Sequence, residues 1–415
     1  MRVVLFTGKG GVGKTTLAAA TGALLAGAGR TALVVSTDPA HSLGDALSTT
    51  LGPEPAEITE NLHAAHIDAR TLLEGTWGDL QEHLRTMLAG AGVDELVADE
   101  LTVLPGVEDL LALAEVQRFA DSGVYDVVVV DCGPTAETLR LLTLPEALNG
   151  YLERLFPAHR RAVRGLVANL AGAKNDTDGW DRTVAALGAL AGQLTGLRAM
   201  LADRDRTAIR LVLTPERVVA AETRRTLTAL ALHELRVDAL MANRVMPGPP
   251  PSLRGPAARW LRERASEQHA VLRELEELGV GVPVVAVPYT AAEPTGVEAL
   301  AELARSIYGD DDPAGAPDGG TPRPLMELRR TAGHGVSADT EFELDVALPG
   351  AEDSPLDLAR VGDDMVVGLG VTRRVITLPS VLRRCEAVGA RLEPGGLDAR
   401  LVIAFKPDPG TWMSS

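Results

Sequence analysis

Gly8-Lys9-Gly10-Gly11-Val12-Gly13-Lys14-Thr15-Thr16 is the stretch on which the fold turns. It fits the pattern G-x-x-x-x-G-K-[ST], which carries meaning only between a strand and a helix. The flanks supply both. Val3 to Phe6 is a short apolar run that reads as a buried strand ending at Thr7-Gly8. Thr15 to Ala28 is rich in Ala and Leu and stops at Gly29, which reads as a helix with a glycine terminator. Glycines let backbone N–H groups turn inward around a phosphate, and the helix N-terminus adds the positive end of its dipole. Gly8, Lys9, Gly10, Gly11, Val12, Gly13, Lys14, Thr15 and Thr16 are therefore the candidate nucleotide-binding residues. Lys14 is placed to reach the β- and γ-phosphates, and Thr15 to put its hydroxyl on Mg²⁺.

The surrounding chain extends this into a parallel sheet. Thr31 to Ser36 is a second strand, so strand, helix and strand form a βαβ unit. Asp126 to Val130, Ile209 to Leu213, Asp238 to Val245 and Pro283 to Val287 read as further strands, and Pro215 to Leu232 and Glu298 to Tyr308 as helices. Residues 70–122 and 146–206 are mostly helical in pattern. Two acids stand where a magnesium nucleotide site needs them, just beyond strands. Asp131 follows Val127 to Val130 and is placed to hold Mg²⁺ through water. Asp38 follows Ala32 to Thr37 and is placed to orient or deprotonate an attacking water. Lys9 is a second loop lysine. By its residues alone it reads equally as a charge reaching a facing subunit's γ-phosphate or as a solvated surface lysine.

Composition bounds the alternatives. In 415 residues, 46% apolar content is enough for a sizeable core, and 3% aromatic content means that core is built from Leu, Val and Ala. Forty Lys and Arg against 57 acids give a net charge of −17, which argues against nucleic acid or a polybasic membrane contact as the main partner. Two cysteines make neither a disulfide framework nor a zinc site alone. The strand pattern from residue 2 leaves no room for a signal peptide, and no apolar run approaches the roughly 20 residues of a membrane span. The chain is expected to be cytoplasmic. Residues 309–335 are acidic and rich in Pro and Gly, which predicts a flexible linker. After it, short alternating segments such as Phe342, Leu344, Val346 and Leu348 predict a small β-sandwich over 336–408, with those four residues as its core.

Together these segments resemble one family. Lys9 marks a deviant phosphate loop. Residues 38–45 (DPAHSLGD) resemble the first switch of the arsenical-pump ATPase and of the tail-anchored-protein targeting ATPase, and residues 131–140 (DCGPTAETLR) resemble the second switch. MANRVMP (241–247) resembles the adenine-contacting strand and loop. Pro288 to Glu293 with Gly296 resembles the loop over the base. The resemblance covers residues 1–308. It implies a P-loop NTPase fold with a helical subdomain, ATP and Mg²⁺ as ligands, and hydrolysis of ATP in a homodimer. It implies Lys9, Lys14 and Asp38 as catalytic residues, Asn243 and Pro288 at the base, and Thr15, Asp38 and Asp131 about the metal. It also implies hydrophobic or tail-anchored membrane proteins as clients of an apolar helical groove. The sandwich resembles the α-crystallin, or small heat-shock, domain appended to zinc-less bacterial members.

The chain departs from the family in instructive places. It has no C-x-x-C pair, so no intersubunit zinc is expected. It lacks the three thiols through which arsenical-pump ATPases bind arsenite. Ala136 and Glu137 replace the usual Gly and His of the second switch. Three readings follow: a targeting factor or chaperone, the ATPase of an arsenite or anion efflux pump, and a partitioning-type positioning ATPase.

Overall fold

Seven consecutive residues, Arg2–Gly8, form a strand whose neighbours lie on both sides and whose faces are both covered. In the computed structural model the described residues are 1–68, 107–134, 192, 195–233, 235–278, 282–315, 324–334, 340–349, 351, 356–369, 372–395 and 399–408. Their order begins β1 (Arg2–Gly8), α1 (Lys14–Gly27), β2 (Ala32–Ser36), α2 (Ser42–Leu47), β3 (Ala56–Thr59), β4 (Leu62–His66), α3 (Val107–Asp121) and β5 (Val127–Pro134). After a helical segment at 195–202 come β6 (Thr207–Leu213), α4 (Arg217–Leu232), β7 (Val237–Val245), α5 (Pro256–Leu278), β8 (Val284–Pro288) and α6 (Val297–Tyr308). The chain closes with β9 (Met326–Ala332), β10 (Glu341–Ala347), β11 (Leu356–Val361), β12 (Asp364–Leu369), β13 (Thr372–Thr377), α7 (Ser380–Arg383), β14 (Cys385–Glu393) and β15 (Arg400–Pro407).

The first eight strands make one sheet in the order β3-β4-β2-β5-β1-β6-β7-β8. Every pairing is parallel except β3 with β4. Alternate residues of each apolar strand enter opposite cores, as a sheet covered on both faces requires. Val3, Leu5, Leu33, Val35, Val128 and Val130 pack toward α3, the 195–202 segment and α5. Val4, Phe6, Val34 and Val129 pack toward α1 and α6. Each such side chain, fully buried, contributes about 1.5–3 kcal/mol of transfer free energy. α1 is rich in Ala and Leu because one of its faces lies on the sheet and another on α6. β1, β2 and β5 are central; Ser36 ends β2 opposite Asp131, which lies within β5 and opposite Phe6 of β1, two residues before Gly8.

β9 to β15 form two antiparallel sheets, β14-β15-β10-β9 and β11-β12-β13. Phe342, Leu344, Val346 and Leu348 are buried between them with Met365, Val367, Ile376, Leu401, Ile403 and Phe405, which is the core predicted from their alternation. Leu232, the last residue of α4, is buried in this same cluster. Thr228 of α4 donates to the Pro349 carbonyl, and the Arg374 guanidinium donates to the Leu232 carbonyl. A cation at a helix C-terminus is the favourable end of the dipole.

The linker expected over 309–335 is corrected at both ends. Asp312 pairs with Arg30 at 3.0 Å, the Pro313 carbonyl accepts from Arg210 Nη2 at 2.6 Å, and Ala314 is fully buried in the α1 core. Met326–Ala332 is β9, paired along its length with β10. It is an edge strand whose side chains are largely exposed. Its sequence therefore carries little apolar signal; the backbone ladder places it, with Arg329 paired to Asp345 at 2.8 Å and Met326 packed on the sandwich core. Of the two stretches predicted helical, 107–121 and 195–202 are helical, with Leu197, Met200 and Leu201 buried against the sheet. The rest of 70–122 and 146–206 lies outside the described residues, apart from the connections flanking those helices. No helix among the described residues is long and apolar enough to cross a membrane.

Candidate functional site

The loop between β1 and α1 bends at its glycines. Gly8 has φ 150°, and a Cβ there would stand 2.2 Å from the Val212 carbonyl oxygen. Gly13 has φ 97° and caps α1, where a Cβ would stand 2.2 Å from Asn243 Nδ2. Only glycine meets both conditions at once. Lys14, 5% exposed, folds back under the loop, and its Nζ donates to the Lys9 carbonyl at 3.3 Å. A cation is thus held inside the curve that the backbone describes.

Behind the loop lies a chain of oxygen atoms. Thr15 Oγ1 donates to Asp131 Oδ2 at 2.7 Å and lies 3.0 Å from Ser42 Oγ. The single Thr15 proton is committed to the carboxylate, so Ser42 is the donor in that second contact. Ser36 Oγ also donates to Asp131 Oδ2, at 3.0 Å. Asp38 follows two residues later. Its amide donates to Ser36 Oγ at 3.2 Å and its Oδ1 accepts from the Ala40 amide at 3.0 Å. Thr15, Asp38 and Asp131, separated by up to 116 residues, are thereby gathered into one network.

Asp131 is completely buried, and burial pushes its carboxyl up to about 6. The Thr15 and Ser36 hydroxyls and Lys14 pull it down, while Asp38 pushes it up. Its Oδ1 is buried with no hydrogen-bond partner among the described residues. A buried carboxylate oxygen without a hydrogen-bond partner, beside two hydroxyls and a second acid, is a hard, oxygen-only donor set. It fits Mg²⁺, which takes one or two carboxylates and otherwise water and phosphate oxygens.

Lys9 lies outside the curve. It is exposed and pairs with Glu222 Oε2 of α4 at 3.0 Å. Asn243, at the end of β7, is buried, and its amide is used by the loop itself. Nδ2 donates to the Val12 carbonyl at 2.7 Å and Oδ1 accepts from the Arg244 amide at 2.9 Å. One N–H and one lone pair remain for a base. Pro288 ends β8 opposite Val245 and is exposed. Gly10, Gly11 and Thr16 lie in the loop and the first turn of α1, and Val12 is buried beneath them.

Sequence reasoning did not single out Ser36, Ser42, Glu222 or His66. Ser36 carried a signal, as the one polar residue closing an otherwise apolar strand. Glu222 carried none, because 213 residues separate it from Lys9. His66 ends β4 and stacks on His41, with ring centroids 3.9 Å apart. Burial, and then His41, holds His66 below its usual range.

The tie between Asn243 and the loop yields a test. Gly13→Ala is expected to weaken ATP binding by about tenfold or more, because a non-glycine residue in this backbone region costs about 1–3 kcal/mol before the clash is counted. A fluorescence titration of ATP checks this, and unchanged affinity in Gly13→Ala would contradict it.

Comparison with known proteins gives the family. The family model described as anion-transporting ATPase, ArsA, matches residues 1–309, and the model described as the HSP20-like domain found in ArsA matches residues 339–405. The Mycobacterium tuberculosis protein Rv2184c is 38% identical over 99% of this chain and 97% of its own length. A Chlorobaculum tepidum protein, provisionally named an arsenical pump-driving ATPase, is 34% identical over 93% of this chain and 92% of its own. The ATPase GET3 of Ajellomyces dermatitidis is 28% identical over 74% of this chain and 90% of its own.

Proposed function

Because the chain belongs to the ArsA family of ATPases, we propose that this ATP hydrolase works as a homodimer switched by ATP, binding hydrophobic protein segments as a targeting factor or chaperone. Thr15, Asp38 and Asp131 would hold Mg²⁺, which neutralises phosphate charge when bound. The loop amides and Lys14 stabilise charge on the transferred phosphoryl group. Asp38, with Oδ1 occupied by the Ala40 amide, turns its other oxygen to the attacking water. Water oxygen bonds to the γ-phosphorus in line, the bond to the bridging oxygen breaks, and ADP leaves with that electron pair. The water proton passes to Asp38. Lys9 serves the facing subunit. Its exposed pair with Glu222 contributes only about 0–1 kcal/mol, so releasing it costs little.

One observation favours clients over a metalloid pump. The two cysteines of the chain, Cys132 and Cys385, are each buried, one in the sheet core and one in the sandwich core. A soft metalloid needs clustered thiolates, and these two sit in separate cores. Arsenite is therefore expected to leave phosphate release unchanged. The deciding experiment is to recover the Asp38→Asn protein from native cells in ATP. Membrane proteins with apolar segments in the eluate support the reading. A lone permease, together with arsenite-stimulated turnover, overturns it.

A further inference from the structure

We propose that Ser36 is a positioning residue for hydrolysis: its buried hydroxyl locks the Asp38 backbone to the Asp131 carboxylate, so that the two acids act as one unit. The inference rests on the reading that both acids serve ATP hydrolysis.

β2 and β5 are adjacent parallel strands with Ser36 opposite Asp131. Both residues continue the row of side chains, Val34 and Val129, that faces α1, so the two point into the same layer as Thr15. Ser36 is 0% exposed. Its hydroxyl spends both of its capacities on the site. The proton goes to Asp131 Oδ2 at 3.0 Å, and a lone pair takes the Asp38 amide at 3.2 Å. A second tie runs beside it, from the Thr37 amide to the Asp131 carbonyl at 3.0 Å.

Two consequences follow from the atoms. Oδ2 of Asp131 receives both the Thr15 and the Ser36 hydroxyl, so the carboxylate cannot rotate without breaking two bonds. That fixes the direction of Oδ1, the buried oxygen without a hydrogen-bond partner among the described residues. The Asp38 amide is fixed to the same hydroxyl, so the start of the segment carrying its carboxylate is set by where Asp131 stands. Neither Thr nor Cys reproduces this without change. Thr adds a methyl group to a filled site, and Cys offers a longer, weaker donor.

The test begins without nucleotide or metal. Hydrogen exchange followed by mass spectrometry of a peptide spanning residues 37–42 reads the Asp38 and Ala40 amides. Ser36→Ala is expected to speed exchange in that peptide while peptides from β1 and β6 keep their protection. Turnover at saturating ATP is then expected to fall about 10- to 100-fold, the scale of one hydrogen bond to a charged group, with KM for ATP changed by less than about threefold. Ser36→Cys should fall between the two. In the Asp38→Asn background, Ser36→Ala should cost far less than it does alone, because both changes disable the same unit.

Unchanged exchange and turnover in a Ser36→Ala protein that melts like the parent would overturn the inference. So would equal, additive losses in the two backgrounds. Should Ser36→Ala fail to fold, Ser36→Cys carries the same comparisons, and unaltered exchange in it counts against the proposal. If Asp38→Asn alone keeps full turnover, the underlying functional reading fails. If Asp38→Asn abolishes turnover and Ser36→Ala costs nothing, only the role of Ser36 fails.

Discussion

Asp38→Asn is expected to bind ATP like the parent protein and to lose about 10²–10⁴-fold in turnover, the usual contribution of a positioned general base. The substitution is nearly isosteric. Asn keeps an oxygen for the Ala40 amide, and the backbone N–H that bonds Ser36 is untouched. The loop should therefore keep its shape, and what is lost is the charge and basicity of the second oxygen. Single-turnover phosphate release, compared with ATP affinity in the same preparation, separates the two effects. A parallel loss of affinity would mean that holding the metal is the main role of Asp38 and that another group positions the water.

Lys14→Ala is expected to remove at least about 10²–10³-fold of turnover, the scale of one preorganised donor to developing charge, and to weaken ATP binding as well. Lys14 differs from Asp38 because its charge meets phosphate in the ground state as much as in the transition state. It is buried with Nζ on the Lys9 carbonyl, so the loop is wrapped round it. Removing the side chain leaves a carbonyl unpaired and an anion site without its cation. Lys14→Arg should not restore function, since a planar fork does not fit a space shaped for a point charge. Circular dichroism guards against unfolding, and phosphate release against ATP concentration gives both constants.

The phosphate loop was legible because its constraints are local. Gly8, Gly13, Lys14 and Thr15 must stand at fixed spacing between a strand and a helix, and both flanks carry strong periodic signals. Asp38 and Asp131 were legible for a related reason, since each closes an apolar run that can only be a buried strand. The sandwich core was legible from its alternation. Less visible was everything set by partners far away in sequence. Glu222 meets Lys9 across 213 residues, and nothing near either residue announces the other. The occupation of Asn243 by the Val12 carbonyl is equally non-local. β9 escaped because an edge strand with largely exposed side chains carries little apolar signal. α5 escaped because its sequence, strongly amphipathic and charged, adjoins a Pro-rich loop and was not separated from it. Leu232 reads as the end of a helix, yet it is also part of the sandwich core, a double duty that no local pattern encodes.

All of this presumes that the loop, the two acids and the hydroxyls are one magnesium–nucleotide site, and calorimetric titration of ATP into the Asp38→Asn protein tests that most directly. The account predicts one ATP bound per chain, with affinity that drops sharply when Mg²⁺ is chelated and is largely lost on adding Lys14→Ala. Binding that ignores both the chelator and Lys14→Ala, or no binding at all, would contradict it.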